Sequence, residues 1–124
     1  MTAAIPAAIP AEWAPHRAMW VGWPTHAEYW FEHLEQARDE VEGLVLALAG
    51  PGREQVKLMV GSEEALSGAQ ARFAGVANVE VVPGRFGDIW LRDTGPIFGA
   101  GSKTAAAFKV NGWGGKYDMA GDDE

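Results

Sequence analysis

The chain has 124 residues, room for one ordinary domain, and its formal charge of -7 excludes the clustered basic surface that nucleic acid demands. It contains no cysteine, which excludes disulfides, zinc–thiolate centres and a cysteine nucleophile within this chain. The 48% apolar share is that of a globular protein, so a disordered, collagen-like or repetitive chain is also excluded.

The first dozen residues, "MTAAIPAAIPAEW" onward, read as a loose arm. They lack the basic n-region of a signal peptide, and Pro6 and Pro10 break them. "RAMWVGWP", Arg17 to Pro24, reads as a strand stopped by Pro24. A long helix is predicted from Thr25 to the Gly50-Pro51 stop. Thr25 and Glu28 have capping-box spacing, and Trp30, Leu34, Ala37, Val41, Leu44, Val45 and Leu48 recur at three- and four-residue steps. "QVKLMVG" alternates Val56, Leu58 and Val60 as a strand does. Ser62 is a natural N-cap for a second helix, with acidic residues in its first turn and Gly68 inside it. "NVEVVP" is a short strand ending at Pro83, and "DIWLRD" another, closed by the Thr94-Gly95-Pro96 turn. "IFGAGSKTAAAFKV" suggests a hairpin across Gly99 to Ser102. The chain closes on the Gly-rich "NGWGGKYD" and an acidic tail. Strands alternating with helices, followed by further strands, predict a mixed α/β fold without an internal linker. No uncharged run is long enough for a membrane span, and a soluble cytoplasmic protein is the expectation.

Several motifs invite chemistry. "NGWGGKYD" contains Gly-Lys, but Val110 stands where a Walker A loop needs its first glycine and Tyr117 follows Lys116, so it is not a phosphate loop. His16, His26 and His33 have no metal-ligand spacing; His26 and His33 fit the surface of the first helix, and His16 a local packing or capping role. Asp93-Thr94-Gly95 matches an aspartic-protease loop, but amphipathic helices, Arg92 and Pro96 do not suit that all-β enzyme. Core packing accounts for Trp20 and Trp30. Trp90 and Trp113 lie beside polar or Gly-rich turns instead. An indole face next to a carboxylate receives a flat cation, because the ring quadrupole attracts the charge and the carboxylate accepts paired N–H bonds. In a regular strand Trp90 and Asp93 point to opposite faces, so they converge only if the strand ends near Leu91 or Arg92. Arg92 is then expected to pair with Asp88 on one face. Residue chemistry alone therefore points to a cation pocket, with the cation unspecified.

"PAEWAPH" (Pro10 to His16), "MWVGWP" (Met19 to Pro24), "DIWLRDTGP" (Asp88 to Pro96) and "NGWGGKY" (Asn111 to Tyr117) stand in the order and spacing of bacterial agmatine deiminases. The chain resembles that group, within the Porphyromonas-type peptidylarginine deiminase family of the guanidino-group-modifying superfamily, from about Ile9 to Asp118. The resemblance implies a five-bladed α/β propeller (the pentein fold) of ββαβ-like modules around a substrate channel. It implies hydrolysis of agmatine to N-carbamoylputrescine and ammonia, on the way to putrescine and the polyamines, through a cysteine thiolate and a histidine acid/base. It implies no metal or organic cofactor. The partners implied are a small-molecule substrate, agmatine, with no nucleic acid, no membrane, and a homo-oligomer allowed for in the full-length protein.

Residue by residue, the resemblance assigns Asp93 as a guanidinium-binding carboxylate and Trp90 as the tryptophan beside the substrate. Arg92 orders Asp93 or its loop, Asp88 supports Arg92, and Trp113 with its glycines lines the channel. The family's later glutamate, its histidine-aspartate pair and its cysteine have no counterpart here. Residues 1–124 are thus expected to be the N-terminal part of one catalytic domain, the first blade and the start of the next, inactive alone. A protein-arginine deiminase of the same family is the alternative. A non-catalytic domain binding guanidinium compounds or a partner chain comes after it, and an aspartic-protease dimer is a distant last.

Overall fold

The computed structural model describes residues 8–100, 103–118 and 121. The predicted order of strands and helices is present at its centre. Strand β1 (Met19–Gly22), β2 (Val56–Val60) and β3 (Val79–Pro83) form a parallel sheet in the order β1-β2-β3. Crossovers containing helix α2 (Leu34–Ala49) and helix α3 (Glu63–Arg72) connect them. The register pairs Val21 with Leu58 and Leu58 with Val81, so the alternation read in the sequence aligns across all three strands. Val56, Leu58 and Val60 are buried under the helices, against Val45 and Ala49 of α2 and Ala65, Ala69 and Phe73 at α3. Ser62 caps α3 as expected, its Oγ accepting from the Ala65 N–H at 3.2 Å. The described residues are thus a small mixed α/β unit, and none of its helices is long and apolar enough to cross a membrane.

The first predicted helix is interrupted. A turn α1 (Ala27–Trp30) and a 3₁₀ turn (Phe31–His33) precede α2, and Phe31 takes a left-handed φ of 49°. The capping box does not form, because the Thr25 hydroxyl donates to the Trp23 carbonyl (2.8 Å) and accepts from the Gly61 N–H (3.2 Å). Side chains of the first turn are committed elsewhere: His26 Nε2 lies 3.1 Å from the Phe86 carbonyl, and the Tyr29 hydroxyl donates to that of Asp118 at 3.3 Å. His26 is therefore half-buried rather than a surface residue. Leu44, placed by periodicity on the apolar face, is instead 51% exposed.

Trp23, which the periodicity did not single out, is the buried tryptophan at 1% exposure. Phe73 meets it edge-on at 5.6 Å, and the Arg72 guanidinium lies 5.7 Å from its ring centroid. Arg72 also donates to Asp39 and Glu42 (2.7 Å each), which raise its pKa further above the ordinary arginine value, and to Glu35 (2.9 Å); the three bonds tie α3 to α2. Trp20, expected in the core, belongs to the opposite sheet face. Its partner in register is Lys57, whose Nζ sits 5.5 Å from the indole centroid and 3.1 Å from Glu80.

Two features fix the surroundings of the chain beyond β3. Gly22, at the end of β1, is overlain by backbone: a Cβ there would come within 2.9 Å of the Ile89 Cα. The arm before β1, as far as it is described, is tied down at three points. The Ala8 carbonyl accepts from the Ala100 N–H at 2.9 Å, Glu12 takes both terminal nitrogens of Arg92 (2.7 and 3.1 Å), and His16 Nε2 lies 2.8 Å from Glu54.

Three outcomes are expected. Leu58→Ala opens a cavity in the central strand and lowers unfolding free energy by about 3 kcal/mol in urea titration; a loss within error of zero contradicts the core assignment. Gly22→Ala leaves the sheet formed but displaces the overlying loop, seen as amide shift changes centred on residues 88–94, at about 1–2 kcal/mol of stability. The arm responds to pH from both sides. Glu54 holds the His16 pKa above its ordinary value, so that tether is full below the unfolded histidine pKa and is lost as pH rises through the raised folded one. Arg92 holds the Glu12 pKa below its ordinary value, so that tether is full above the unfolded carboxyl pKa and is lost as pH falls through the lowered folded one. Backbone ¹⁵N relaxation of residues 8–16 should therefore show least motion in mildly acid solution, at about pH 5.5, and more at about pH 8. Equal mobility at both contradicts the histidine tether.

Candidate functional site

After β3 the chain crosses back over the end of β1. Phe86 and Gly87 are buried, and Ile89 lies on Gly22. The chain then surfaces as a single helical turn, α4 (Leu91–Thr94). The strand expected over "DIWLRD" is not formed. The Asp93 and Thr94 N–H groups both donate to the Trp90 carbonyl, at 2.9 and 3.1 Å, and the Thr94 hydroxyl donates to it at 3.2 Å. The objection from strand alternation does not apply, because residues 91–94 form a turn and not a strand. Trp90 stands immediately before that turn, with a non-helical ψ of 54°.

Both side chains are open to solvent. Trp90 is 52% exposed. Asp93 is exposed, and among the described residues its carboxylate accepts no hydrogen bond and forms no ion pair. Its basic chain neighbour Arg92 is occupied: both of its terminal nitrogens hold Glu12, which raises the arginine pKa and lowers that of the carboxyl. The expected Asp88–Arg92 pair is therefore replaced. Asp88 turns instead to its own loop, with Oδ1 accepting from the Ile89 N–H at 2.7 Å and Oδ2 from the Trp90 indole N–H at 3.0 Å. The physical reason is local. Once residues 91–94 close into a turn, the next peptide N–H and the indole two residues on come within reach of Asp88. Glu12 went unread in the sequence because nothing in one sequence links positions 80 residues apart.

Beyond α4, strands β4 (Ile97–Phe98) and β5 (Ala105–Ala106) pair antiparallel, as the predicted hairpin requires, although Gly101 and Ser102 of its turn lie outside the described residues. "NGWGGKY" forms a tight turn, α5 (Gly112–Gly115), with left-handed backbone at Gly112, Trp113 and Gly114 and the Asn111 side chain accepting from the Gly114 N–H at 2.9 Å. Trp113 is half-exposed and meets Tyr117 edge-on at 6.1 Å. Among the described residues, no hydrogen bond or ring contact joins this turn to Trp90 or Asp93, so its glycines serve the bend. The acidic tail read in the sequence lies outside the described residues apart from Gly121.

Among the described residues no group of three or more acidic or histidine side chains is arranged to hold a metal ion. The site thus presents an indole face, an unpaired carboxylate one turn away and a second carboxylate at the indole edge. An indole face and a free carboxylate are the groups that cation recognition uses in general. The site contains no cysteine.

A family model described as Porphyromonas-type peptidyl-arginine deiminase matches residues 8–124. The agmatine deiminase of Stutzerimonas stutzeri (strain A1501) is 32% identical over 94% of this chain, which covers 33% of that relative. The agmatine deiminase of Ectopseudomonas mendocina (strain ymp) is 33% identical over 86% of this chain, which covers 29% of that relative. The chain thus spans about a third or less of the length of the curated relatives it matches. No solved structure matches it. Matched over residues 8–124, the chain belongs to the Porphyromonas-type peptidyl-arginine deiminase family.

Proposed function

We propose that the chain is the N-terminal portion of an agmatine deiminase and supplies one wall of its guanidinium site. The observation that carries this reading is the α4 turn, where the exposed Trp90 ring and the unpaired Asp93 carboxylate stand three residues apart. Asp93 accepts two N–H bonds from a guanidinium while the indole face receives its plane. Arg92 spends both terminal nitrogens on Glu12, which leaves the Asp93 oxygens open to accept N–H bonds. Trp113, on its glycine turn, is assigned to the substrate channel by the family resemblance alone. In this reading the whole protein is a five-bladed α/β propeller, working in the cytoplasm on a small diffusible substrate without a cofactor. The names of the relatives support agmatine as that substrate.

The reaction consumes water. A thiolate adds to the guanidinium carbon, and a C–N bond breaks as ammonia leaves with a proton from a general acid. The S-alkylthiouronium that remains takes up water, and the thiolate departs to leave N-carbamoylputrescine. This chain has no cysteine, so the nucleophile belongs to sequence beyond it, and its own residues bind and orient. Alone it is without turnover. A protein-arginine deiminase is the second reading, favoured by the description of the matching family model; the same carboxylate and indole hold an arginine side chain equally well.

Titration of the chain with agmatine, monitored by ¹H–¹⁵N correlation spectra, should shift the Trp90 indole and residues 91–94 with an affinity in about the millimolar range, as befits a partial site. Putrescine, which keeps the alkyl amine but lacks the guanidinium, should leave them unmoved. Asp93→Asn should weaken agmatine about tenfold through loss of a charge-assisted hydrogen bond. Equal shifts with putrescine contradict the guanidinium site. Ammonia released from agmatine by this chain alone contradicts the assignment of chemistry to residues outside it.

A further inference from the structure

The α4 turn fixes the backbone of Trp90 but not its ring. The Trp90 carbonyl is held by Asp93 and Thr94, while the side chain projects, half-exposed, from the first residue before the helical turn. The ring's own hydrogen bond is to Asp88. One carboxylate carries out two tasks: Oδ1 holds the Ile89 N–H at 2.7 Å, and Oδ2 holds the indole N–H at 3.0 Å. The loop bearing that carboxylate is anchored from beneath by the Ile89 backbone on Gly22 and by His26 at the Phe86 carbonyl.

We propose that Asp88 is a positioning residue that acts through Trp90, fixing the indole and strengthening its face as a receptor for the guanidinium cation. The inference rests on the guanidinium site formed by Trp90 and Asp93. Its physical basis is twofold. An indole N–H lies in the ring plane, so a carboxylate bound to it stands at the ring edge and leaves both faces clear. A hydrogen bond to an anion also polarises the donor, which pushes electron density into the ring and deepens the negative potential above it. A cation on that face meets a ring that is already oriented and already electron-rich. Asp88 needs no contact with the cation to contribute.

The rival is a purely structural Asp88 that caps the loop at the Ile89 N–H. Substitution separates the two. In Asp88→Asn the single amide oxygen can keep the Ile89 bond, but the amide nitrogen cannot accept from the indole. Asp88→Ala loses both bonds. Agmatine affinity is read by ¹H–¹⁵N titration of the full chain and of three variants: Asp88→Asn, Trp90→Phe, and the two combined. The Trp90 indole resonance is identified by its absence from Trp90→Phe. Expected results are an indole proton moved upfield in Asp88→Asn without ligand, and agmatine binding weakened about threefold to fivefold. In the Trp90→Phe background, the same Asp88→Asn change should have no effect on affinity, because the coupling runs through the indole N–H.

Agmatine binding unchanged by Asp88→Asn overturns this inference and leaves the guanidinium site standing. An equal loss in the Trp90→Phe background also overturns it, since Asp88 would then act as a remote charge or a cap. If the unsubstituted chain shows no agmatine-dependent shift, the guanidinium site falls and this inference with it.

Discussion

The structure depends on one row of side chains. Val56, Leu58 and Val60 of β2 point the same way, stay buried, and meet α2 and α3 from below. Because the strands are parallel and in register, that row also aligns Val21 of β1 and Val79 and Val81 of β3 under the same helices. The other face is set by alternation. Trp20, Lys57 and Glu80 line up across it, and Gly22 beside them leaves the gap into which Ile89 settles. A hydrophobic choice on one side of the sheet thereby decides where the candidate site sits on the other. Burial of the row provides the driving force, at about 25 cal/mol per Å² of apolar surface. The glycine supplies only room.

What the sequence made legible was whatever depends on short-range periodicity. The alternation of β2, the Ser62 cap and the stop at Gly50 are local signals, and each corresponds to an observed feature. The failures share one cause. Thr25 has the spacing of a helix cap, but its hydroxyl is used between Trp23 and Gly61, 36 residues away. Trp20 reads as core and Trp23 draws no notice, although the strand register decides which of them is buried. "DIWLRD" has the composition of a strand, yet the chain there crosses β1 and closes a turn on the Trp90 carbonyl. In each case a tertiary contact overrode a local preference. The candidate site was readable as a set of residue types, in Trp90, Asp93, Arg92 and Asp88. Its wiring was not. Arg92 goes to Glu12 and Asp88 to the indole, and neither pairing is dictated by spacing.

That wiring decides which charges of the loop are spent internally. Four charged side chains stand within one short loop and the arm above it, and a different pairing would quench the site. With Arg92 bound to Asp88 or Asp93, an internal guanidinium would occupy what a ligand needs. Glu12 prevents that by taking both terminal nitrogens of Arg92. The arm is thus part of the site although it touches neither Trp90 nor Asp93 through any hydrogen bond of the described residues. Its loss would free Arg92 to swing onto its acidic neighbours.

Arg72 shows the same recognition chemistry turned inward. Its guanidinium lies over Trp23 and is gripped by Glu35, Asp39 and Glu42. The molecule therefore contains a flat cation clasped by an indole and acids as a permanent strut between two helices. Guanidinium salts and free arginine, common in refolding and storage buffers, are chemical mimics of that strut. They compete for the acids and the ring that hold Arg72, so urea is the denaturant that leaves this strut's own chemistry unchallenged.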